Sequence, residues 1–189
     1  MFFIYLIFSL CLPGYISPAF GVPHSHAFEV VSGSDHPHFG VVKEAFQTII
    51  APLYGNQEVP LRKIACGYDR TCLLLTQGNE PRGLLLFKKE LSNEYENLGI
   101  QNSLEVKTLC LLNSHKYGKQ GFGTKLLNRA KDEARKLGAS GVHLTISQKL
   151  GVLGFYLGQD FCQKTVWRNK FQQEDNELLL YWRNQQEDL

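Results

Sequence analysis

At 189 residues and 43% hydrophobic content, the chain can bury one sizeable core but is short for two, so residues 27–189 are read as a single domain. Its 20 basic and 18 acidic residues leave a net charge of +2, too balanced for a dedicated nucleic-acid or membrane surface. Five scattered cysteines (Cys11, Cys66, Cys72, Cys110 and Cys162) without a CxxC pair argue against a disulfide framework or a zinc site. Cys72, Cys110 and Cys162 lie in or beside strand-like runs and read as small core residues.

Residues 2–12 form an apolar run, FFIYLIFSLCL, closed by Pro13 and Gly14. It is too short to span a bilayer and has the length of a signal-peptide core, yet no Lys or Arg precedes Lys43 and residues 17–21 make a poor cleavage site. Residues 1–26 are therefore set apart as a leader with three open readings: a weak signal or membrane-surface segment, an extra packed element, or a mis-assigned start.

A short strand at 28–31 is followed by a cap and turn at 32–35. Val42, Ala45, Phe46, Ile49, Ile50 and Leu53 then recur at helical spacing, predicting a helix over 37–54, with a second over 59–65. Residues 71–76 and 84–88 are strand-like and joined by 77–83, whose Gly, Asn and Pro suit a hairpin connection. In the strand predicted at 104–112, alternation puts Glu105 and Lys107 on one face and Val106, Thr108 and Cys110 on the other. After a turn at 113–121, Leu126, Leu127, Ala130, Ala134 and Leu137 mark one face of a helix that Gly138 ends. A strand at 142–147, a short helix at 151–157 and strands at 162–167 and 178–182 complete an α/β (α+β) chain. The expected sheet is mixed, mostly antiparallel, of about six to seven strands, with helices on both faces.

The feature richest in chemistry is Gln120-Gly121-Phe122-Gly123-Thr124, a Gly-rich turn between a strand and a helix. Backbone amides at a helix N-terminus point outward together, and glycine lets an anion approach them closely, as a phosphate cradle requires. Neither GxGxxG nor a Walker lysine pattern is present.

With its flanking strands this turn makes residues 104–161 resemble the core of the GNAT N-acetyltransferase superfamily, and 28–182 resemble it more weakly. The family turn reads Arg or Gln, any two, Gly, any, Gly or Ala. Gly121 and Gly123 match its small positions, whereas Gly118 stands in place of Arg or Gln, with Lys116, Lys119 or Gln120 as substitutes. The resemblance implies acetyl-CoA as co-substrate, with Gln120, Gly121, Phe122, Gly123 and Thr124 on the pyrophosphate and the backbone of Leu109, Leu111 and Leu112 on the pantetheine arm. It implies no metal and a cytoplasmic enzyme, monomeric or homodimeric, without firm membrane association. Phe155-Tyr156 followed by Phe161 has the form of the family's aromatic pair, with Asp160 where Gly is commoner. By that match Tyr156 protonates the leaving thiolate, as a phenol does without ionising at neutral pH. Glu105, on the strand where many members carry a catalytic carboxylate, is the candidate base, and Lys107 pairs with it, lowering its basicity. His115 and His143 are weaker bases.

The acceptor is an amine of unknown identity. Aromatic residues Tyr54, Trp167, Phe171 and Trp182 are placed either at its pocket or in the core. Two further readings stay open: a non-catalytic acyl-CoA-binding module, and transfer to a macromolecule such as a protein lysine or charged tRNA. His24, His26, His36 and His38 cluster without metal-ligand spacing and read as a solvated loop. The basic positions Lys125, Arg129, Lys131, Arg135 and Lys136 are interrupted by Asp132 and Glu133, as on a solvated helix face, so nucleic acid is not the expected partner.

Overall fold

The computed structural model describes residues 25–168 and 175–185. The leader up to residue 24, with Cys11 and His24, lies outside the described residues, as does Phe171. Seven strands form one sheet: β1 (His26–Val31), β2 (Arg70–Gln77), β3 (Glu80–Lys88), β4 (Leu104–Leu111), β5 (Gly141–Ser147), β6 (Cys162–Arg168) and β7 (Asn176–Arg183). Their spatial order is β1-β2-β3-β4-β5-β7-β6, and every neighbouring pair is antiparallel except β4 with β5. The mixed sheet expected from the sequence is thus present, with helices on both faces.

On one face α5 (Phe122–Lys136) lays Leu126, Leu127, Ala130 and Ala134 against Leu73, Leu85, Leu109 and Val142, forming the larger core. On the other, α1 (Phe39–Ala45), α2 (Ala51–Tyr54) and α3 (Glu58–Ala65) cover Cys72, Leu74, Leu84 and Cys110. The predicted helix over 37–54 is a helical run interrupted by a π-type turn at Phe46–Ile50, which ends two residues before Pro52. Proline lacks the amide that would bond one turn back and crowds that carbonyl, so widening the preceding turn relieves the clash. No described helix is long and apolar enough to cross a membrane.

Three readings need correction. The β2–β3 connection is not residues 77–83 but Gly78 and Asn79 alone, since Gln77 pairs with Glu80. Pro81 and Gly83 sit inside β3, where a bulge at Arg82 absorbs the irregularity; a Cβ on Gly83 would stand 2.8 Å from the Cys110 carbonyl oxygen. Cys162 is exposed rather than core, its sulfur 3.2 Å from the Tyr181 carbonyl oxygen, because it opens the sheet's edge strand β6. The simple alternation along β4 also fails. Leu86 pairs with Thr108 but Phe87 with Val106, which makes Lys107 a bulge residue. The extra residue flips the phase, so Val106 joins the α5 side and Cys110 the α1 side.

Candidate functional site

β4 and β5 run parallel but pair only at Leu104 with Val142 and Glu105 with His143. Beyond those residues the strands part, leaving a wedge between the second half of β4 and the second half of β5. Which backbone groups of β4 face that wedge follows from the β3 ladder. Leu112 donates its amide to the Arg82 carbonyl at 2.9 Å, and in an antiparallel pair the hydrogen-bonded positions alternate. Leu112 and Cys110 therefore bond toward β3, while Leu109 and Leu111 turn their N–H and C=O groups away from it. Of the three expected backbone positions, Leu109 and Leu111 face the wedge and Leu112 does not.

The polypeptide then forms α4 (Ser114–Tyr117) and turns into α5 through Lys119 and Gly121, with φ of 60° and 79°. Gly121 is the N-cap of α5 and carries no side chain to bond the first turn, whose amides lack intrahelical acceptors; the helix's first bond runs from Lys125 N–H to the Gly121 carbonyl at 3.0 Å. Beside these amides lies a cleft of about 220 Å³ lined by Leu111, Lys119, Gly121, Phe122, Gly123, Thr124 and Phe155. Gln120 is not among the lining residues: its side-chain amide donates to the Lys116 carbonyl at 2.8 Å. Lys116 lies over the Tyr117 ring, at 5.1 Å. Of the three substitutes for the missing Arg or Gln, only Lys119 lines the cleft. The reason for Gly118 is local, since a Cβ there would come within 2.7 Å of the Ser114 carbonyl oxygen, which already accepts the Gly118 amide.

Tyr156, on α6 (Leu153–Leu157), is fully buried against Phe155 and Phe161, and its hydroxyl has no hydrogen-bond partner. Burial pushes that hydroxyl up, so it holds its proton throughout the working pH range. Phe155, its neighbour, forms the cleft wall, a role the sequence reading did not assign. Asp160 has a φ of 63°, the left-handed region that glycine adopts most freely and aspartate tolerates.

Glu105 lies at the closed end of the wedge, buried and ion-paired to both Lys107 and Lys88. Burial alone would raise its carboxyl; the Lys107 charge and the hydrogen bonds from Lys107 and Lys88 prevail and hold it below the usual carboxylate range. It is accordingly a weak base. His143 faces it across the β4–β5 pair, its Nδ1 2.8 Å from the Ser103 hydroxyl and its Nε2 buried without a partner. Burial, opposed by Glu105 and aided by Lys107 and Lys88, pushes the imidazole down to about 4. Because the folded value lies below the unfolded one of 6.5, His143 contributes stability that is fully present above pH 6.5 and is lost as the pH falls through about 4. The loss amounts to about 3 kcal/mol. Denaturant unfolding across that window should show this dependence in the native protein and a flatter one in His143→Leu; identical profiles would show that His143 is not held neutral.

Elsewhere, His36 and His38 do not sit in a bare solvated loop: both meet Glu29, at 3.3 and 2.8 Å. The His38 amide donates to His36 Nδ1 at 3.2 Å, which leaves the His36 ring proton on Nε2, facing Glu29. This is the arrangement of a hydrogen-bonded clamp between β1 and α1, with the His36 nitrogen nearest the carboxylate already protonated. Four of the five basic positions of α5 are engaged within the protein: Arg129 and Lys136 pair with Glu133, Arg135 pairs with Asp132, and Lys131 donates to the Gln159 carbonyl. Trp182 is core, with Lys131 and Arg135 over its ring, and Trp167 packs on Tyr95.

No family model matches the sequence, and no curated protein matches it either. Solved structures do match in fold. A structure of Arabidopsis thaliana NAA60 with a bisubstrate analogue superposes with a TM-score of 0.69 at 15% identity, covering 84% of this chain and 98% of that one. The ribosomal-protein-S18-alanine N-acetyltransferase of Escherichia coli gives 0.65 at 15% identity, covering 87% and 99%. A GNAT family acetyltransferase of Elizabethkingia anophelis with acetyl-CoA bound gives 0.61 at 14% identity, covering 84% and 98%. The chain therefore has the GNAT acyl-CoA N-acyltransferase fold.

Proposed function

We propose that the protein is an acetyl-CoA-dependent N-acetyltransferase that passes the acetyl group directly to a primary amine within a ternary complex. The observation that carries this reading is the parting of β4 from β5 beside the side-chain-free N-terminus of α5. An extended amide-bearing arm ending in a diphosphate needs those two features together: main-chain groups along one wall and converging amides at its end. Similarity in fold to acetyl-CoA-bound structures supports the choice of donor.

In this reading Gly121, Phe122, Gly123 and Thr124 hold the diphosphate, with Lys119 supplying positive charge, and Leu109 and Leu111 bind the arm. One of the two amides also polarises the thioester carbonyl, a contribution of about 3 kcal/mol to the barrier. The amine nitrogen attacks the carbonyl carbon, the C–S bond breaks, and Tyr156 gives its proton to the departing thiolate. The proton lost by the amine leaves through a water to Glu105, whose pairing with two lysines disfavours direct abstraction. Titration calorimetry with acetyl-CoA, followed by thiol release across an amine panel, tests the proposal. Binding with release is expected. Binding without release from any amine identifies an acyl-CoA-binding module instead, and absence of binding defeats the reading.

A further inference from the structure

The cleft at the head of α5 is short of positive charge for the group it is read as holding. A diphosphate brings two negative charges, and among the described residues that line the cleft only Lys119 is charged. A second cation stands one aromatic ring behind it. Arg82, at the bulge of β3, is 9% exposed, and its guanidinium lies over the Tyr117 ring, 4.1 Å from the ring centre, with the Phe122 ring centre at 5.9 Å. Tyr117 is the last residue of α4 and Phe122 the first of α5, and their rings meet edge to face at 6.0 Å. The guanidinium therefore lies against the side chains at both ends of the loop that carries Lys119 and Gly121.

This guanidinium is incompletely paired. Its Nη2 meets Glu80 at 2.6 Å, on a side chain that is 62% exposed, whereas Nε and Nη1 are buried and have no hydrogen-bond partner among the described residues. Ring faces attract a guanidinium by its charge but give its N–H groups no lone pair, so burial here leaves positive charge uncompensated. A cation beside the first residue of a helix also adds to the positive end of that helix, which is unfavourable until an anion arrives. With aromatic rings rather than water between the charge and the cleft, its field reaches the cleft weakly screened. We infer that Arg82 is the second cation of the diphosphate site, acting from behind Phe122 through its field and through the seating of Tyr117 and Phe122, without touching the phosphates. It is a positioning residue, and the inference rests on the acetyl-CoA reading of the cleft.

The test is calorimetric titration of acetyl-CoA, and of acetyl-dephospho-CoA, which lacks only the 3′-phosphate, into the native protein, Arg82→Met and Glu80→Gln, each at low and high salt. Arg82→Met keeps an unbranched side chain against the rings and removes the charge. It should weaken both donors by roughly tenfold at low salt, with the loss narrowing at high salt. Glu80→Gln removes the counter-charge at an exposed position and should tighten both donors by roughly threefold, which keeps the test decisive if Arg82→Met fails to fold. A salt-independent loss in Arg82→Met, or unchanged affinity in Glu80→Gln, is what a merely structural arginine would give, and either overturns the inference. A loss confined to acetyl-CoA would put Arg82 at the 3′-phosphate and overturns it as well. In each of these outcomes the native protein still binds acetyl-CoA; if it does not, the donor reading itself falls and takes this inference with it.

Discussion

Replacing Tyr156 by phenylalanine lowers turnover by about a hundredfold while leaving the fold as stable as before or stabilising it by about 1 kcal/mol. The two halves of this expectation come from one observation: the hydroxyl is fully buried and has no partner. A buried, unsatisfied hydroxyl carries its desolvation penalty with no compensating bond, so removing it cannot cost stability through lost hydrogen bonding, and the ring contacts with Phe155 and Phe161 remain. A purely structural tyrosine would therefore be improved by the change. If the hydroxyl serves instead as the acid for the leaving thiolate, single-turnover acetyl transfer slows while acetyl-CoA affinity holds. Undiminished turnover in a correctly folded Tyr156→Phe protein removes the residue from the mechanism.

What could be read from the sequence was whatever depended on local pattern. The Gly-rich turn and α5 announced themselves because glycine before a strong 3.6-residue apolar repeat has few other uses. The seven strands were legible as apolar runs, but the bulges were not. Lys107 looks like any alternate strand position, and only its pairing with β3 shows that it interrupts the phase and sends Val106 and Cys110 to opposite faces. Pro81 and Gly83 were misread as turn residues for a related cause: each is tolerated inside β3 because of a bulge and a close approach to β4, neither of which is local.

The polar groups at the two ends of the wedge were legible to different degrees for the same reason. Glu105 and Lys107 are two residues apart on one strand, so their pairing could be foreseen, although the second cation, Lys88, comes from β3. Asp175 and Glu177, at the start of an apolar run, look like the solvated edge of a strand. Both are nonetheless buried, and Asp175 accepts the Ser147 hydroxyl, a partner that no spacing rule connects to it.

Substituting Gly121 should produce the other large effect, and two variants separate its causes. Gly121 has a φ of 79°, and no atom lies within 4 Å of where a Cβ would stand, so there is no clash to relieve. Alanine therefore adds only the strain of an L-residue in the left-handed region, about 1–2 kcal/mol, and weakens acetyl-CoA binding by roughly tenfold as the turn relaxes and its amides lose their convergence. Glutamate adds a negative charge where the diphosphate must sit. At a separation of about 4 Å near a protein surface this repulsion reaches several kcal/mol before salt screening, so binding falls by more than about a hundredfold and recovers in part at high salt. Calorimetry at two ionic strengths distinguishes the terms: the alanine loss is insensitive to salt and the glutamate loss is not. Affinity retained in Gly121→Glu would mean that the diphosphate does not lie at the head of α5, and the placement of the donor along β4 would fall with it.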